Sequence, residues 1–109
     1  MQHAAIYVKE AAGYPEGENT QEHQTRECES YCNVHGLRIT ARYYDSAGCR
    51  QEFQQMMEDA TKDAPPFDTI VVWKLRNFSW SLEETILCRD RLRANGVTLI
   101  STKESSAPR

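Results

Sequence analysis

The side chains best suited to handling an anion crowd into one short stretch, VVWKLRNFSWS, at positions 71–81. Three apolar residues, Val71, Val72 and Trp73, run directly into Lys74, Arg76, Asn77, Ser79 and Trp80. The first two of these carry positive charge, the amide and hydroxyl donate hydrogen bonds, and an indole ring can stack on a base or a cation. In open α/β sheets ligands collect outside the carboxyl ends of strands, and this cluster falls there if 68–74 is a strand. Lys9, Arg50 and Arg76 together would suit a small anion or nucleotide at such a place. No glycine-rich phosphate loop supports that idea, because Gly13 and Gly17 flank Pro15 and lack the spacing such loops need.

Each of these residues also has a plainer use. Ser81 followed by Glu84 is a capping box, Ser79 suits a turn, and Lys74 with Arg76 suits a solvated surface. Trp80 suits packing over the start of the next helix. Cys28, Cys32 and His35 share one face of a helix by spacing and could begin a zinc site, but no fourth ligand is marked nearby. Burial on the inner stripe of that helix is the preferred reading.

The elements that must position these residues alternate along the chain. AAIYV at 4–8 is a strand, and the segment with Gly13, Pro15 and Gly17 is a loop. A helix starts near Asn19 or Thr20, with Glu22 placed for a capping box on Asn19. Gln24, Cys28, Tyr31, Cys32 and His35 form its inner face, and Gly36 ends it. LRITARYY at 37–44 is a second strand, and DSAG turns the chain. A second helix spans about 50–64, burying Phe53, Met56, Met57 and Ala60 and stopped by Pro65 and Pro66. Strand 68–74 is apolar on successive residues and so buried on both faces. A third helix runs from the Ser81 cap to Gly96 with Leu82, Ile86, Cys88 and Leu92 as its apolar side, interrupted by Arg89. VTLIS at 97–101 is the fourth strand. The pattern predicts a three-layer α/β/α fold around a mainly parallel sheet of four to five strands.

Bulk properties narrow the function classes. The 109 residues match one domain, and 27% charged with 39% hydrophobic residues is ordinary for a soluble protein. A net charge of −3 provides no global field toward a phosphate backbone. No apolar run reaches the length of a membrane span and no signal-peptide core is present, so a cytoplasmic location and reduced thiols are expected.

Taken in order, several of these segments resemble the N-terminal catalytic domain of the serine recombinases, the resolvase and invertase family. They are IYV and its loop, TQEHQ against the family's S-x-E-x-Q helix start, YCNVHG, YYD, RQEFQQMMEDA, FDTIVVWKLRNFS and NGVTLIS. The resemblance runs from about Ala5 to Glu104. It implies a resolvase-like fold over 1–104; the residues at 105–109 read as a polar tail, and no separate DNA-binding domain is expected in the sequence. It also implies metal-free, cofactor-free phosphoryl transfer on DNA, in which a serine attacks the phosphodiester and arginines neutralise the transition state.

Carried over residue by residue, the site is incomplete. The family's Tyr-x-Arg-x-Ser after the first strand reads Tyr7-Val8-Lys9-Glu10-Ala11, and Ala12 follows. Ala11 has no hydroxyl, Lys9 keeps charge but not the guanidinium fork, and Glu10 adds a negative charge. The aspartate and two arginines after the third strand meet Arg76, Asn77 and Trp80. Only Arg50 and Asp45 remain from the main set. Lys9, Arg50, Lys74 and Arg76 are the DNA phosphate-binding candidates that survive.

Two functional expectations follow. The favoured one is a recombinase-like domain without catalysis, working as a binding or assembly module or persisting as a relic. DNA is the partner implied by resemblance, bound weakly by this domain alone, and a protein partner or second copy is the alternative. The competing one is an active strand-exchange enzyme with a displaced nucleophile, which would need Thr20, Ser46 or Ser79 beside Lys9 and Arg50.

Overall fold

Six consecutive buried positions, Ala4 to Lys9, make β1 (His3–Lys9) an interior strand. A computed structural model of the chain describes residues 2–10 and 20–103. β1 is flanked by β2 (Arg38–Asp45) and β3 (Thr69–Val72), and β4 (Thr98–Ser101) pairs with β3. The sheet order is β2-β1-β3-β4, and every pairing is parallel. β3 is buried at all four positions, as its unbroken apolar run requires of a strand covered on both faces.

The covering helices divide by face. α1 (Gln21–Val34) lays Cys28 and Cys32 against Ala4, Ile6, Val8 and Val71. α2 (Gln51–Ala60) and α3 (Leu82–Ala94) cover the other face, where Phe53, Met56, Met57, Ala60 and Leu92 pack on Ala5, Tyr7, Ile70 and Val72. The three-layer α/β/α architecture is thus the one the alternating pattern predicts. Gly36 and Gly96 follow α1 and α3 with φ of 69° and 78°, left-handed conformations that end a helix without a Cβ clash.

Of the two helix starts expected for α1, Thr20 is the N-cap: its Oγ1 accepts from the His23 amide at 3.0 Å. Asn19 lies outside the described residues, as do Ala11, Ala12, the loop glycines and the tail from Glu104. Two local expectations are corrected. α2 ends at Ala60 rather than Ala64: the Thr61 backbone leaves helical geometry and its amide bonds the Glu58 carbonyl at 3.3 Å, while its hydroxyl donates to the Met57 carbonyl at 2.8 Å. α3 buries only the second half of its expected apolar side. Leu82 is 70% exposed and Ile86 40%, whereas Thr85 and Leu92 are buried and Cys88 is half-buried. The inward side of α3 is set by contact with the sheet, and a polar Thr85 faces the core because Ser79 is there to bond it.

Candidate phosphate site at the carboxyl ends of β1 and β3

The chain leaves β1 for the β2 side of the sheet and returns to the β3 side, so the direction of winding switches between β1 and β3. A crevice outside the strand ends belongs there. Two buried amides fix its floor. The Gln24 side chain accepts from the Lys9 amide at 3.2 Å and donates to the Lys9 carbonyl at 3.0 Å, while Asn77 donates to the same carbonyl at 2.9 Å. Gln24 is the glutamine of TQEHQ, and its position on the inner face of α1 lets it replace the ladder partners that β1 lacks at its end. Asn77 sits in a 3-10 turn (Leu75–Asn77) that the sequence pattern did not reveal, and its side chain is fully buried.

Asp45, the last residue of β2, is 3% exposed. It accepts from the Tyr7 hydroxyl at 2.8 Å, the Glu52 amide at 3.0 Å and the Phe53 amide at 2.9 Å. It therefore caps α2 from outside the helix, since the N-cap residue Arg50 makes no side-chain cap bond. Burial, then the Asp45 hydrogen bond, pushes the Tyr7 hydroxyl far above its ordinary pKa. The ring of Tyr7 meets Phe53 and Phe78 edge-on at 5.7 and 6.5 Å, an aromatic base beneath the site.

Arg50 and Lys9 converge on the Trp80 ring beyond the strand ends. The Arg50 guanidinium lies between two rings, 4.4 Å from the Phe53 centroid and 4.3 Å from that of Trp80. It also pairs with the Glu84 carboxylate at 2.8 Å. The Lys9 ammonium lies 5.4 Å from the Trp80 centroid. Lys9 is buried, and desolvation, then the Arg50 charge, lowers its pKa from the ordinary 10.5. Glu84 stays below its ordinary value: burial acts to raise it, but the Trp80 amide and Arg50 outweigh that effect. Its other oxygen accepts from the Trp80 amide at 3.1 Å, one residue before the N-cap, while Ser81 Oγ accepts from the Glu84 amide at 3.0 Å, so Ser81 caps α3 as expected and the Glu84 carboxylate closes on the preceding amide.

The four phosphate-binding candidates are thus split. Lys9 and Arg50 share Trp80, whereas Lys74 lies over the Trp73 ring at 4.6 Å and Arg76 is an exposed residue lining a separate groove with Leu75, Trp80 and Leu82. Trp80 itself is 61% exposed, so it covers Arg50 rather than packing into the helix start. Glu10 turns toward β2, where it accepts from the Tyr44 hydroxyl at 3.0 Å.

The proposed substitute nucleophiles are engaged elsewhere. Thr20 caps α1, Ser46 bonds the Cys49 thiol at 3.4 Å, and buried Ser79 bonds the Ser81 carbonyl and the Thr85 hydroxyl. The cysteine–histidine spacing in α1 does not converge either: Cys28 and Cys32 are buried, but His35 is exposed and stacks on Tyr31 at 4.1 Å. Burial pushes the Cys28 thiol up to about 12, which suits an inert core residue.

Glu84 is the functional residue that sequence reasoning underrated. Its capping role was visible at the right spacing from Ser81, but its second oxygen reaches Arg50, thirty-odd positions away, only in the folded chain.

Comparison with known proteins agrees with this fold. The fold matches the N-terminal catalytic domain of TP901-1 integrase with a TM-score of 0.77 at 23% identity, covering 97% of this chain and 83% of that one. It matches a resolvase family site-specific recombinase from Streptococcus pneumoniae with a TM-score of 0.83 at 18% identity, covering 98% and 78%. The C-terminal catalytic domain of ISC1926 TnpA, an IS607-like serine recombinase, matches with a TM-score of 0.74 at 14% identity, covering 92% and 70%. No curated protein matches the sequence significantly. The profile of the family described as "Resolvase, N terminal domain" matches residues 14–109, beginning after β1 and position 11. With that match over most of its length, the chain belongs to the resolvase N-terminal domain family, the catalytic-domain family of the serine recombinases.

Proposed function

We propose that this chain is a recombinase domain that has kept the family scaffold without strand-cleaving chemistry, and that it works as a cytoplasmic binding or assembly module. The observation that carries this reading is the closed state of Arg50. The cation that matches the family's phosphate-binding set is paired with Glu84 at 2.8 Å and held between Phe53 and Trp80. A phosphate approaching Arg50 must displace a carboxylate already bonded at short range, and must do so beside a lysine whose positive charge burial disfavours. Ala11 at the family's nucleophile position supports the same conclusion from the sequence. Loss of a nucleophile alone costs many orders of magnitude in rate, and residues of such a site act as a unit.

DNA remains the ligand that family membership suggests, held weakly by a domain of net charge −3. The test is a denaturing gel of the protein after incubation with duplex DNA. No covalent protein–DNA adduct is expected, and a linkage resistant to denaturation would overturn the reading. Ala11→Ser, fused to a DNA-binding domain, is expected to stay inactive because Asn77 and Trp80 still occupy the arginine positions. Adduct formation by that single variant would mean that Arg50 is accessible after all.

A further inference from the structure

A groove on the outer side of Trp80 adjoins the closed cluster of Lys9, Arg50 and Glu84 but takes no part in it. Its volume is about 370 Å³, within the range of small-ligand sites, and it lies between the 3-10 turn and the start of α3. Leu75, Leu82 and Trp80 supply apolar walls, Ser81 and Thr85 supply hydroxyls, and the exposed Arg76 supplies a positive charge. Grooves elsewhere on the described surface carry carboxylates, Glu52 in one and Glu22 with Glu29 in another, whereas Arg76 is the charged residue lining this one. The groove is also where the chain departs from the recombinase motif. Arg76 stands at the aspartate position and Trp80 at an arginine position, so a cation replaces a carboxylate and an aromatic ring replaces a cation.

The hydroxyls of the groove leave one donor and one acceptor to spare. Ser79 Oγ donates to the Ser81 carbonyl at 2.8 Å, so in its contact with Thr85 the Thr85 hydroxyl is the donor. The Thr85 oxygen thereby keeps a lone pair with which to accept. Ser81 Oγ accepts from the Glu84 amide at 3.0 Å and retains its own proton to donate. Trp80 is 61% exposed even with Arg50 4.3 Å from its ring, so part of the indole is open to stacking. A π-surface, a donor beside an acceptor, and a guanidinium at the rim match a planar heterocycle with a mixed hydrogen-bonding edge and a phosphate. We infer that this groove binds a nucleotide. The base stacks on Trp80 between Leu75 and Leu82 with its edge on Ser81 and Thr85, and the phosphate meets Arg76. Arg50 is not needed for the contact and stays with Glu84.

Nucleotide binding rests on the reading of the chain as a binding module, but it is measured as binding rather than as strand cleavage, so the two fail separately. Trp73 and Trp80 are the two tryptophans of the chain, and the buried Trp73 serves as internal control. In a chemical-shift titration with adenosine 5′-monophosphate, the Trp80 indole resonance is expected to move saturably while that of Trp73 stays. Adenosine should bind about tenfold more weakly, and inorganic phosphate should leave Trp80 unmoved. Read at the Ser81 and Leu82 amides, Trp80→Ala should weaken binding about tenfold or more, and Trp80→Phe much less. Arg76→Gln should remove the preference for the monophosphate over adenosine. Both changed residues are exposed, and far-ultraviolet circular dichroism verifies that each variant remains folded. A parallel titration with a single-stranded oligodeoxyadenylate of about eight nucleotides identifies the source of the ligand. Tighter binding of the strand assigns the groove to unpaired DNA, and tighter binding of the monophosphate assigns it to free nucleotide. No saturable shift with either ligand would overturn the inference. So would an equal response to inorganic phosphate, binding indifferent to Trp80→Ala, or an unchanged phosphate preference in Arg76→Gln.

Discussion

Asp45 and Arg50 stand on either side of one turn, and they are the two positions at which the motif resemblance carries a recombinase site residue onto this chain unchanged. Their surroundings differ sharply. Asp45 is buried, and both of its oxygens are used by Tyr7 and by the first amides of α2. Every one of those bonds holds the fold together. Arg50 lies at the opening, where its charge is answered by Glu84 and its faces by Phe53 and Trp80. A retained polar residue is therefore weak evidence for retained chemistry. Asp45 is explained without any ligand, and Arg50 has had its anion supplied from within the chain.

The largest test of that contrast is Asp45→Ala. It strands a buried tyrosine hydroxyl and two helix amides, and should cost about 3–4 kcal/mol in urea unfolding. Asp45→Asn, which can still accept from the amides, should recover a substantial part. A loss of less than about 1 kcal/mol from the alanine variant would break the contrast, since Asp45 would then need another reason to be there.

Asn77→Ala comes next. It removes the donor to the Lys9 carbonyl from a fully buried position, and should cost about 2 kcal/mol by the same measurement. A variant as stable as wild type would mean that Gln24 alone holds the end of β1.

The smallest effect is expected at Glu84, because the pair with Arg50 is partly solvated. Glu84→Gln should change stability by less than about 1 kcal/mol at neutral pH. Its pH dependence carries more information. The folded pKa of Glu84 lies below the ordinary 4.5, so its contribution is fully present above 4.5 and fades as pH falls through the lower folded value. The stability difference between wild type and Glu84→Gln should accordingly shrink in acid. A difference that stayed constant from neutral pH to below that range would show that the charge of Glu84 contributes nothing to stability.

Much of the architecture was legible in residue order. The apolar runs of β1 and β3, the buried stripe of α2 and the Ser81 cap all match, because each depends on neighbours only a few positions away. The first half of α3 departs from expectation for the converse reason, while Cys88 and Leu92 face inward as expected. Its sequence has no single apolar stripe, and which side faces inward was settled by the sheet beneath it and by the buried Ser79–Thr85 bond. The candidate site divided in the same way. Ala11, Asn77 and Trp80 could be recognised as departures from a motif, but the pairing of Arg50 with Glu84 could not.

The sequence by itself determined the alternation of strands and helices, membership in a family of catalytic domains and the lack of a hydroxyl at position 11. These are properties of residue types at short spacing. Only the tertiary structure decided that Lys9 and Arg50 meet under Trp80 while Lys74 and Arg76 point to other surroundings. It also decided that a carboxylate from α3 neutralises the cation at the start of α2. Charges attract and desolvate according to distance through space, and the distances between α2, α3 and the end of β1 exist only once the sheet has brought them together.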